Sequence, residues 1–279
     1  MPKRLLLALL AYTLPVGFIV APLVSFLAYS FFRLDHGKID TTLTFFNYIR
    51  FFADPIFLPV LLQTCALCLG VTLLAILLGY PVAYLLASLK GRTKYTLLML
   101  VVVPLLMSYV IKMYAIRAIL GGNGLLNRFL LATGLISEPL TLFVFNLNAV
   151  LLTLTVLLVP FAILPIYLSL ERIPGNLMEA AADLGASDWQ AFRKVTWPHS
   201  LAGVATAASF VFVLAIGDFL TPQLVGGNSG FTFGRIIYSQ FGSAFNWPFG
   251  SALSVVLSVV VITAILIGNH FGRAQAESE

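Results

Sequence analysis

Apolar residues along this chain fall into six long runs separated by shorter polar stretches. The runs cover about residues 5–32, 57–89, 95–118, 140–169, 201–222 and 250–271. A helix needs about 20 apolar residues to cross a bilayer, and strands cross only as closed barrels, whose alternating pattern is missing here. The pattern therefore predicts an all-α membrane protein with six transmembrane helices, which form a single domain over residues 1–279.

The composition agrees with a chain that is solvated largely by lipid. Hydrophobic residues make up 60% of the sequence and charged residues 10%, whereas soluble domains are about 25% charged. The net charge is +5, and the basic residues lie mostly at the ends of the apolar runs, where they anchor membrane helices. No basic run is interleaved with stacking aromatics, so membrane lipid is an expected partner and nucleic acid is not.

The cysteines and the N-terminus favour ordinary membrane packing. Cys65 and Cys68 form a single C-x-x-C pair inside an apolar run, and His36, His199 and His270 are scattered. A metal site needs a fuller ligand set, so we expect packing roles and no bound metal. The first apolar run is longer than the roughly 7 to 15 residues of a signal peptide core, so it is predicted to be a retained span.

Short basic segments predict the orientation. Lys3 and Arg4 precede the first span, and Lys90, Arg92 and Lys94 lie in the short loop after the second. Because such segments stay on the cytoplasmic side, we expect a multi-pass membrane protein with both termini in the cytoplasm. Residues 33–56, 119–139 and 223–249 then lie outside, and the loop 171–200 lies inside.

The loop 171–200 is unusually polar for this chain. Its charged residues are Glu171, Arg172, Glu179, Asp183, Asp188, Arg193 and Lys194. Asn176 followed by Glu179 resembles a helix-starting capping box, and Gly185 suits the left-handed position that ends a helix. The pattern predicts a short helix over 177–184 followed by a sharp turn.

A second short helix is predicted directly after this turn. Ser187 with Gln190 gives a new start signal, and Pro198 is expected to limit the helix. Trp189 and Phe192 recur at helical spacing and are expected to pack against the chain's own span ends. Because two such short helices are not stable alone, the small-faced first one is predicted to dock on another protein.

The loop resembles the EAA loop of the permease subunits of binding-protein-dependent ABC transporters. The matching residues are Glu179, Ala180, Ala181, Gly185, Val195, Trp197 and Pro198. This sequence departs from the family pattern at Trp197, where leucine is usual, and at Ala202 and Gly203, where proline and glycine are frequent. Neither departure touches the first helix of the loop.

Further segments are similar to the branch that imports polyamines, opines and related solutes, and the resemblance covers about residues 55–270. They are GGNGLLNRFL (121–130), VPFAILPIY (159–167), GDFLTPQLVGG (217–227) and WPFGSA (247–252). The resemblance implies the permease fold of type I ABC importers, and a polyamine, opine or amino-acid-like solute. It also implies alternating access, a periplasmic solute-binding protein and a second, different permease subunit.

By the same resemblance, the loop is a cytoplasmic coupling helix that docks in a dimer of ATPase subunits. The docking residues it implies are Glu179, Ala180, Ala181, Asp183, Leu184, Gly185, Ala186 and Ser187. The sequence contains no G-x-x-x-x-G-K-[ST] phosphate loop. ATP and Mg²⁺ are therefore expected in the partner ATPase, and this chain is expected to hold no cofactor and no catalytic residue.

Candidate pathway residues are few. A charge within the bilayer costs about 2.5 to 3.5 kcal/mol on the insertion scale and indicates function, so Asp218 is a candidate, although it could also cap a segment that starts at Thr221. The further candidates are Tyr109, Lys112, Asn146 and Asn148, for each of which a packing or interface role is open. They leave the charge of the solute undecided.

Three other classes of protein compete with a permease. A stand-alone secondary transporter predicts inverted repeats and more buried ionisable groups, and an intramembrane enzyme predicts paired acids, a metal cluster or a nucleophile with its base. The sequence shows no visible repeat and no H-E-x-x-H motif. A scaffolding subunit is not excluded by the loop alone. The whole pattern favours the ABC permease.

Overall fold

The computed structural model describes residues 2–140 and 145–276 and consists mainly of helices. The helices are α1 (Pro2–Ser30), α2 (Phe46–Ala53), α3 (Phe57–Ser88), α4 (Arg92–Leu106), α5 (Tyr109–Leu120), α6 (Leu125–Ala132), α7 (Leu147–Glu171), α8 (Gly175–Asp183), α9 (Asp188–Ala191), α10 (Trp197–Ile216), α11 (Leu220–Val225), α12 (Phe233–Gly242) and α13 (Trp247–Ala276). A π-helical segment, Phe192–Thr196, joins α9 to α10.

Four helices in the described part of the chain are long and apolar enough to cross a membrane. They are Phe57–Ser88, Leu147–Glu171, Asp188–Ile216 and Trp247–Leu266. A bent pair, Arg92–Leu106 with Tyr109–Ala132, gives a fifth if it counts as one span, and Pro15–Ser30 forms a shorter apolar helix. The helical class is confirmed, and the count of six spans stays a prediction.

The third predicted span, 95–118, is not one straight helix. Its two halves are bent by 101° at Met107 and Ser108. Met107 is extended, with φ −77° and ψ 147°, and its N–H donates to the carbonyl of Pro104. Proline lacks the N–H that would bond the carbonyl of Leu100 in a regular helix, and α4 continues only two residues past Pro104, to Leu106. The continuous helix expected over 95–118 was wrong in this respect.

The helix observed in the region of the fifth predicted span, 201–222, begins and ends at other residues than predicted. The helical segment begins at Asp188 and ends at Ile216. A π-helical turn over Phe192–Thr196 joins α9 to α10, so the segment stays helical through Pro198. Gly217, Asp218 and Phe219 then form a break before α11. The expectation that Pro198 would end the second loop helix was wrong: this proline lies near the start of α10.

The chain forms two compact units. The first contains residues 1–60 and 236–260, and the second contains residues 61–235 and 261–279. In the first unit, strands β1 (Arg33–Asp35) and β2 (Lys38–Asp40) pair antiparallel across a turn at His36 and Gly37, whose φ angles are 44° and 79°. Two positive φ angles are the signature of a tight hairpin turn. This hairpin was not predicted.

In the second unit, α7 packs closely on α10. The approach is closest at Gly203, where a Cβ atom would lie 2.4 Å from Cβ of Ser169 and 2.8 Å from the carbonyl oxygen of Pro165. Small residues at such crossings allow two membrane helices to approach by their backbones. The Ser169 hydroxyl also donates to the carbonyl of His199 at 3.2 Å. Gly203 therefore sets the distance between the two helices.

Substituting Gly203 by alanine tests this packing. Gly203→Ala is expected to lower the free energy of unfolding by about 1 to 3 kcal/mol, because the new methyl group overpacks the α7–α10 contact. Gly17→Ala in α1 is the matched control, since nothing lies within 4 Å of the position its Cβ would take. Thermal unfolding of both variants in detergent gives the comparison. Equal stability of the two variants would contradict the close approach.

Candidate functional site

The loop 171–200 begins with α8, but its start differs from the sequence-based prediction. The helix begins at Gly175 after Pro174, with no side-chain cap hydrogen bond. The predicted capping pair Asn176 and Glu179 was therefore wrong, because Pro174 already places the first helical turn one residue earlier. Glu179 is exposed and makes no hydrogen bond or ion pair with any residue that the structure describes.

The sharp turn at the end of α8 is confirmed. Gly185 has φ +77°, its N–H donates to the carbonyl of Ala182 at 2.9 Å, and the N–H of Ala186 donates to the carbonyl of Ala181 at 3.0 Å. These two bonds are the Schellman arrangement that closes a helix. The last carbonyls of α8 are thereby paired, which fixes the direction in which the chain leaves the helix.

The next helix starts without an intervening linker. The Ser187 hydroxyl accepts from the N–H of Gln190 at 3.4 Å, and the N–H of Ser187 donates to the Gln190 side chain at 3.0 Å. This reciprocal capping box was predicted and is confirmed. The π-helical turn follows just before Pro198, whose missing N–H removes a regular helical bond. The end of α8 and the start of α9 are thus each closed by hydrogen bonds between residues close in sequence.

The predicted docking residues form an exposed surface. Six of them are exposed, namely Glu179, Ala180, Asp183, Leu184, Gly185 and Ser187, and Ala181 and Ala186 are half-buried. Leu184 is 88% exposed at the tip of the turn. A groove of about 370 Å³ beside it is lined largely by apolar side chains, including Leu177 and Val195. A rigid helix end with a protruding leucine suits insertion into a complementary cleft.

An aromatic cluster of Tyr80, Tyr84, Trp189, Phe192 and Trp197 joins the loop to α3. Phe192 meets the ring of Tyr80 at 6.2 Å and that of Tyr84 at 5.8 Å, both edge to face. Trp189 stacks on Phe192 at 5.5 Å, and Trp197 lies 5.4 Å from Tyr80. The predicted packing against a span end is thus confirmed for Phe192, whereas Trp189 is 67% exposed and stacks on Phe192 of its own loop. Trp197, where the family has leucine, adds a ring to this cluster.

A polar link lies beside the same cluster. The Ser200 hydroxyl is fully buried, donates to the carbonyl of Trp197 at 2.9 Å, and lies 2.9 Å from the Tyr80 hydroxyl. Because its single proton is already used, Ser200 accepts the proton of Tyr80. This bond connects α3 to the first turn of α10. Nothing in the loop sequence indicated it, since the two residues are 120 positions apart.

Asp218 lies in the break between α10 and α11 and is fully engaged. One carboxylate oxygen accepts from the N–H groups of Leu220 and Thr221 at 2.9 and 3.3 Å. The other accepts from the Tyr109 hydroxyl at 2.6 Å. The predicted capping role is confirmed, and the structure brings two candidate pathway residues, Tyr109 and Asp218, together. Both are half-buried.

Of the other candidate pathway residues, Lys112 contacts Tyr109, whereas Asn146 has a different role at the start of α7. Asn146 caps α7, because its side-chain oxygen accepts from the N–H of Ala149 at 2.8 Å. Asn148 is exposed. The ammonium group of Lys112 lies 5.7 Å from the ring centre of Tyr109, which gives this half-buried lysine a cation–π contact.

Asn127 is an organising residue that sequence analysis missed. Its side chain is buried, with 2% of the residue exposed. Its amide group donates to the carbonyls of Gly121, Gly122 and Leu140. Its side-chain oxygen accepts from the N–H of Leu140 at 2.9 Å. A buried amide that closes both ends of a loop is costly to replace. The only sequence signal was its place within GGNGLLNRFL.

The described ranges contain no group of three or more His, Cys, Asp or Glu residues that could hold a metal ion. Cys68 is buried and Cys65 is half-buried within α3, and both are free thiols. Engaged side chains at helix ends and breaks, together with the exposed helix α8, characterise this helical membrane protein.

Residues 79–271 match the family described as the binding-protein-dependent transport system inner membrane component. The chain therefore belongs to this family and is the transmembrane permease subunit of an ABC importer, not an enzyme, with ATP hydrolysis carried by a separate subunit. Family membership sets aside the secondary transporter, the intramembrane enzyme and the scaffold.

Curated relatives agree over most of the chain. The spermidine/putrescine transport system permease protein PotB of Salmonella typhimurium (strain SL1344) is 35% identical over 253 residues, which cover 90% of this chain and 88% of that protein. PotB of Escherichia coli (strain K12) is 34% identical, with coverages of 90% and 91%. The inner membrane ABC transporter permease protein YdcU of the same organism is 32% identical over 269 residues, with coverages of 91% and 85%.

Solved structures share the fold. A chain of a bacterial ABC transporter that imports the acidic polysaccharide alginate superposes with a TM-score of 0.75 at 19% identity, covering 98% of this chain and 96% of that one. A chain of the MetNI methionine ABC transporter gives 0.61 at 22% identity, with coverages of 80% and 99%. At these identities the likeness establishes the permease fold alone.

A double-mutant cycle tests the buried link between α3 and α10. Tyr80→Phe and Ser200→Ala are each expected to lower the free energy of unfolding by about 0.5 to 1.5 kcal/mol, because each removes one side of the hydrogen bond. The double variant is expected to lose less than the sum of the two, since the bond can be lost only once. Thermal unfolding in detergent measures the three variants.

Ser88→Ala supplies the matched control for this cycle. Ser88 also lies on α3, but its hydroxyl donates only to the carbonyl of Leu85 in its own helix. Its effect is expected to add to that of Tyr80→Phe. If Ser200→Ala were equally additive with Tyr80→Phe, the two hydroxyls would not be coupled.

Proposed function

We propose that residues 177–188 are the coupling helix that docks into a dimer of ATPase subunits. The observation that carries the proposal is the exposure of α8 and its turn, where Leu184 protrudes and Glu179 has no partner among the described residues. A bulky exposed leucine and an unpaired carboxylate at a rigid turn are suited to a cleft that offers an apolar pocket and a donor. By the resemblance of the loop to the EAA loop, we expect such a cleft on the ATPase subunits.

The helix that leaves the turn carries the motion into the membrane. Asp188–Ile216 is a single helical segment, with a length on the order of 40 Å at about 1.5 Å per residue. A displacement of the turn therefore moves this helix as a body, with the aromatic cluster and the Tyr80–Ser200 bond connecting it to α3. We assign alternating access of the spans to this linkage.

Three partners complete the proposed transporter. The ATPase dimer binds ATP and Mg²⁺, a periplasmic solute-binding protein delivers the solute, and a second, different permease subunit supplies the other half of the pathway. The basic residues near the chain's start and in the loop at 90–94 support an inner-membrane orientation with both termini in the cytoplasm. The coupling loop then faces the ATPases.

The proposed solute is a polyamine or a related small organic solute. Support comes from the 35% identity to PotB over 90% of this chain. Asp218 already accepts three hydrogen bonds within the chain, so its first role is to hold the α10–α11 break against α5. Further acids that bind the ammonium groups are therefore assigned to the second permease subunit and the binding protein.

The docking proposal is tested by co-purification from mild detergent. An affinity-tagged chain is expected to bring down an ATP-hydrolysing subunit, whereas the double variant Glu179→Lys with Gly185→Trp is expected to lose it. The lysine reverses one of the two exposed carboxylate charges of α8, and the tryptophan both strains a position with φ +77° and fills the space outside the turn. ATPase activity of the eluate and its subunit composition are the readouts.

The chain offers a closely matched control. Glu138 is exposed, and Gly134 has φ +70° with nothing within 4 Å of its Cβ position. Glu138→Lys with Gly134→Trp therefore repeats the same chemical changes in a different loop. This control is expected to keep the ATPase subunit. Retention by both variants, or loss by both, would argue against docking through α8.

The solute proposal is tested by uptake into proteoliposomes. The complex is reconstituted with ATP inside the vesicles and the binding protein outside, and uptake of labelled spermidine is compared with that of labelled glutamate. We expect ATP-dependent uptake of spermidine and a background signal for glutamate, with ADP as the energetic control. Uptake of glutamate without spermidine would reject a polyamine while leaving the docking proposal intact.

A further inference from the structure

The short helix α2 exposes a stripe of large apolar side chains that the spans do not cover. Phe45, Ile49 and Phe52 follow helical spacing on one side, and Ile56 continues the stripe from the turn after the helix. Their exposed fractions are 66%, 65%, 70% and 56%. Bulky side chains repeated at this spacing form one continuous apolar face.

The opposite side of α2 already supplies the packing that holds it in its unit. Asn47 is 3% exposed and Phe51 is 1% exposed. The ring of Phe51 stacks on Phe57 at 6.4 Å, and Phe57 meets Phe249 at 5.0 Å. The helix is therefore held in its unit by its buried side. The exposed stripe is not needed for that packing and is open to the surroundings of the chain.

Hydrogen bonds fix the depth of α2 relative to the first span. The Asn47 amide donates to the carbonyls of Ser30 at 2.9 Å and Phe32 at 2.7 Å, and the Tyr48 hydroxyl donates to that of Ser30 at 2.8 Å. Ser30 is the last residue of α1, and α3 begins at Phe57. The ends of spanning helices lie at the bilayer boundary, so α2 is held at that level.

The chemistry of the stripe favours lipid over a protein partner. It consists entirely of hydrocarbon and aromatic groups, whereas protein interfaces that form and dissociate carry a polar share close to that of the general surface. The exposed apolar surface of α1 reaches Phe26 and Leu27, which are 41% and 47% exposed, within about one turn of the Ser30 tether. The lipid-facing surface of the first span thus continues toward α2.

We propose that α2 is an interfacial helix that inserts Phe45, Ile49, Phe52 and Ile56 into the lipid where α1 ends and α3 begins. Residues 33–56 contain three basic residues, Arg33, Lys38 and Arg50, and three acidic ones, Asp35, Asp40 and Asp54. Insertion is accordingly driven by apolar burial and not by attraction to anionic headgroups. The helix fixes the end of the first span at a set depth in the membrane.

Spin-label accessibility tests the proposal in the full reconstituted complex. A nitroxide is attached at Phe52→Cys in a chain that carries Cys65→Ala and Cys68→Ala, in phosphatidylcholine liposomes. Collision with oxygen, which concentrates in lipid, is compared with collision with a water-soluble nickel chelate. We expect a several-fold higher oxygen-to-nickel ratio at position 52 than at Lys38→Cys in the exposed hairpin.

Each alternative gives a different reading. A label at 52 that meets the nickel chelate as freely as the label at 38 places the stripe in water and overturns the proposal. A label shielded from both reagents shows a protein surface covering the stripe, which also overturns it. Ile49→Cys provides a second outward position if the first variant does not assemble. An effect that appears only with added phosphatidylglycerol would replace apolar insertion by charge attraction.

Discussion

The structure depends on one constraint: every backbone N–H and C=O group in apolar surroundings needs a partner within the protein. Continuous helices meet it along the spans, so the informative places are those where a helix stops. In the exposed loop, outside the spans, the turn at Gly185 and Ala186 itself pairs the last carbonyls of α8. At the break after Ile216, the Asp218 carboxylate receives the N–H groups of Leu220 and Thr221. The candidate functional residues gather at these interruptions because an interruption requires polar side chains.

Two of these interruptions are tied to each other. Tyr109 is the first residue after the bend at Met107 and Ser108, and its hydroxyl reaches Asp218 in the break between α10 and α11. Interrupted helices whose ends face a shared space are characteristic of transporter pathways. The Tyr109 hydroxyl, which bonds both Asp218 and Thr221, therefore joins the bend after α4 to the break between α10 and α11. Asp218 fixes local structure and also links these two interruptions, so its structural role and a role in transport are compatible.

Local signals explain which parts of the fold the sequence could predict. Long apolar runs located the helices, and Gly185 with Ser187 located the turn, because both patterns act within a few residues. Prolines were less informative: α4 ends two residues after Pro104, whereas the helix continues past Pro198 after a π-helical turn. The contacts of Asn127 and the Tyr109–Asp218 bond could not be predicted, since they join side chains to groups that only the folded chain brings together. The predicted docking residues were identified from the family resemblance, and the exposure of most of them agrees with a role in docking.

The proposed coupling mechanism requires a stiff element and a defined contact at which this element pivots against α3. Stiffness comes from the paired turn and from the helix that continues from Asp188 to Ile216. The pivot is the aromatic cluster around Phe192, where edge-to-face rings allow small rotations with little loss of contact. Motion of α10 must then reach α7, because Gly203 leaves no space between its backbone and Ser169. A displacement at the exposed turn is thus transmitted to two spans through close packing, and no chemical step in this chain is needed.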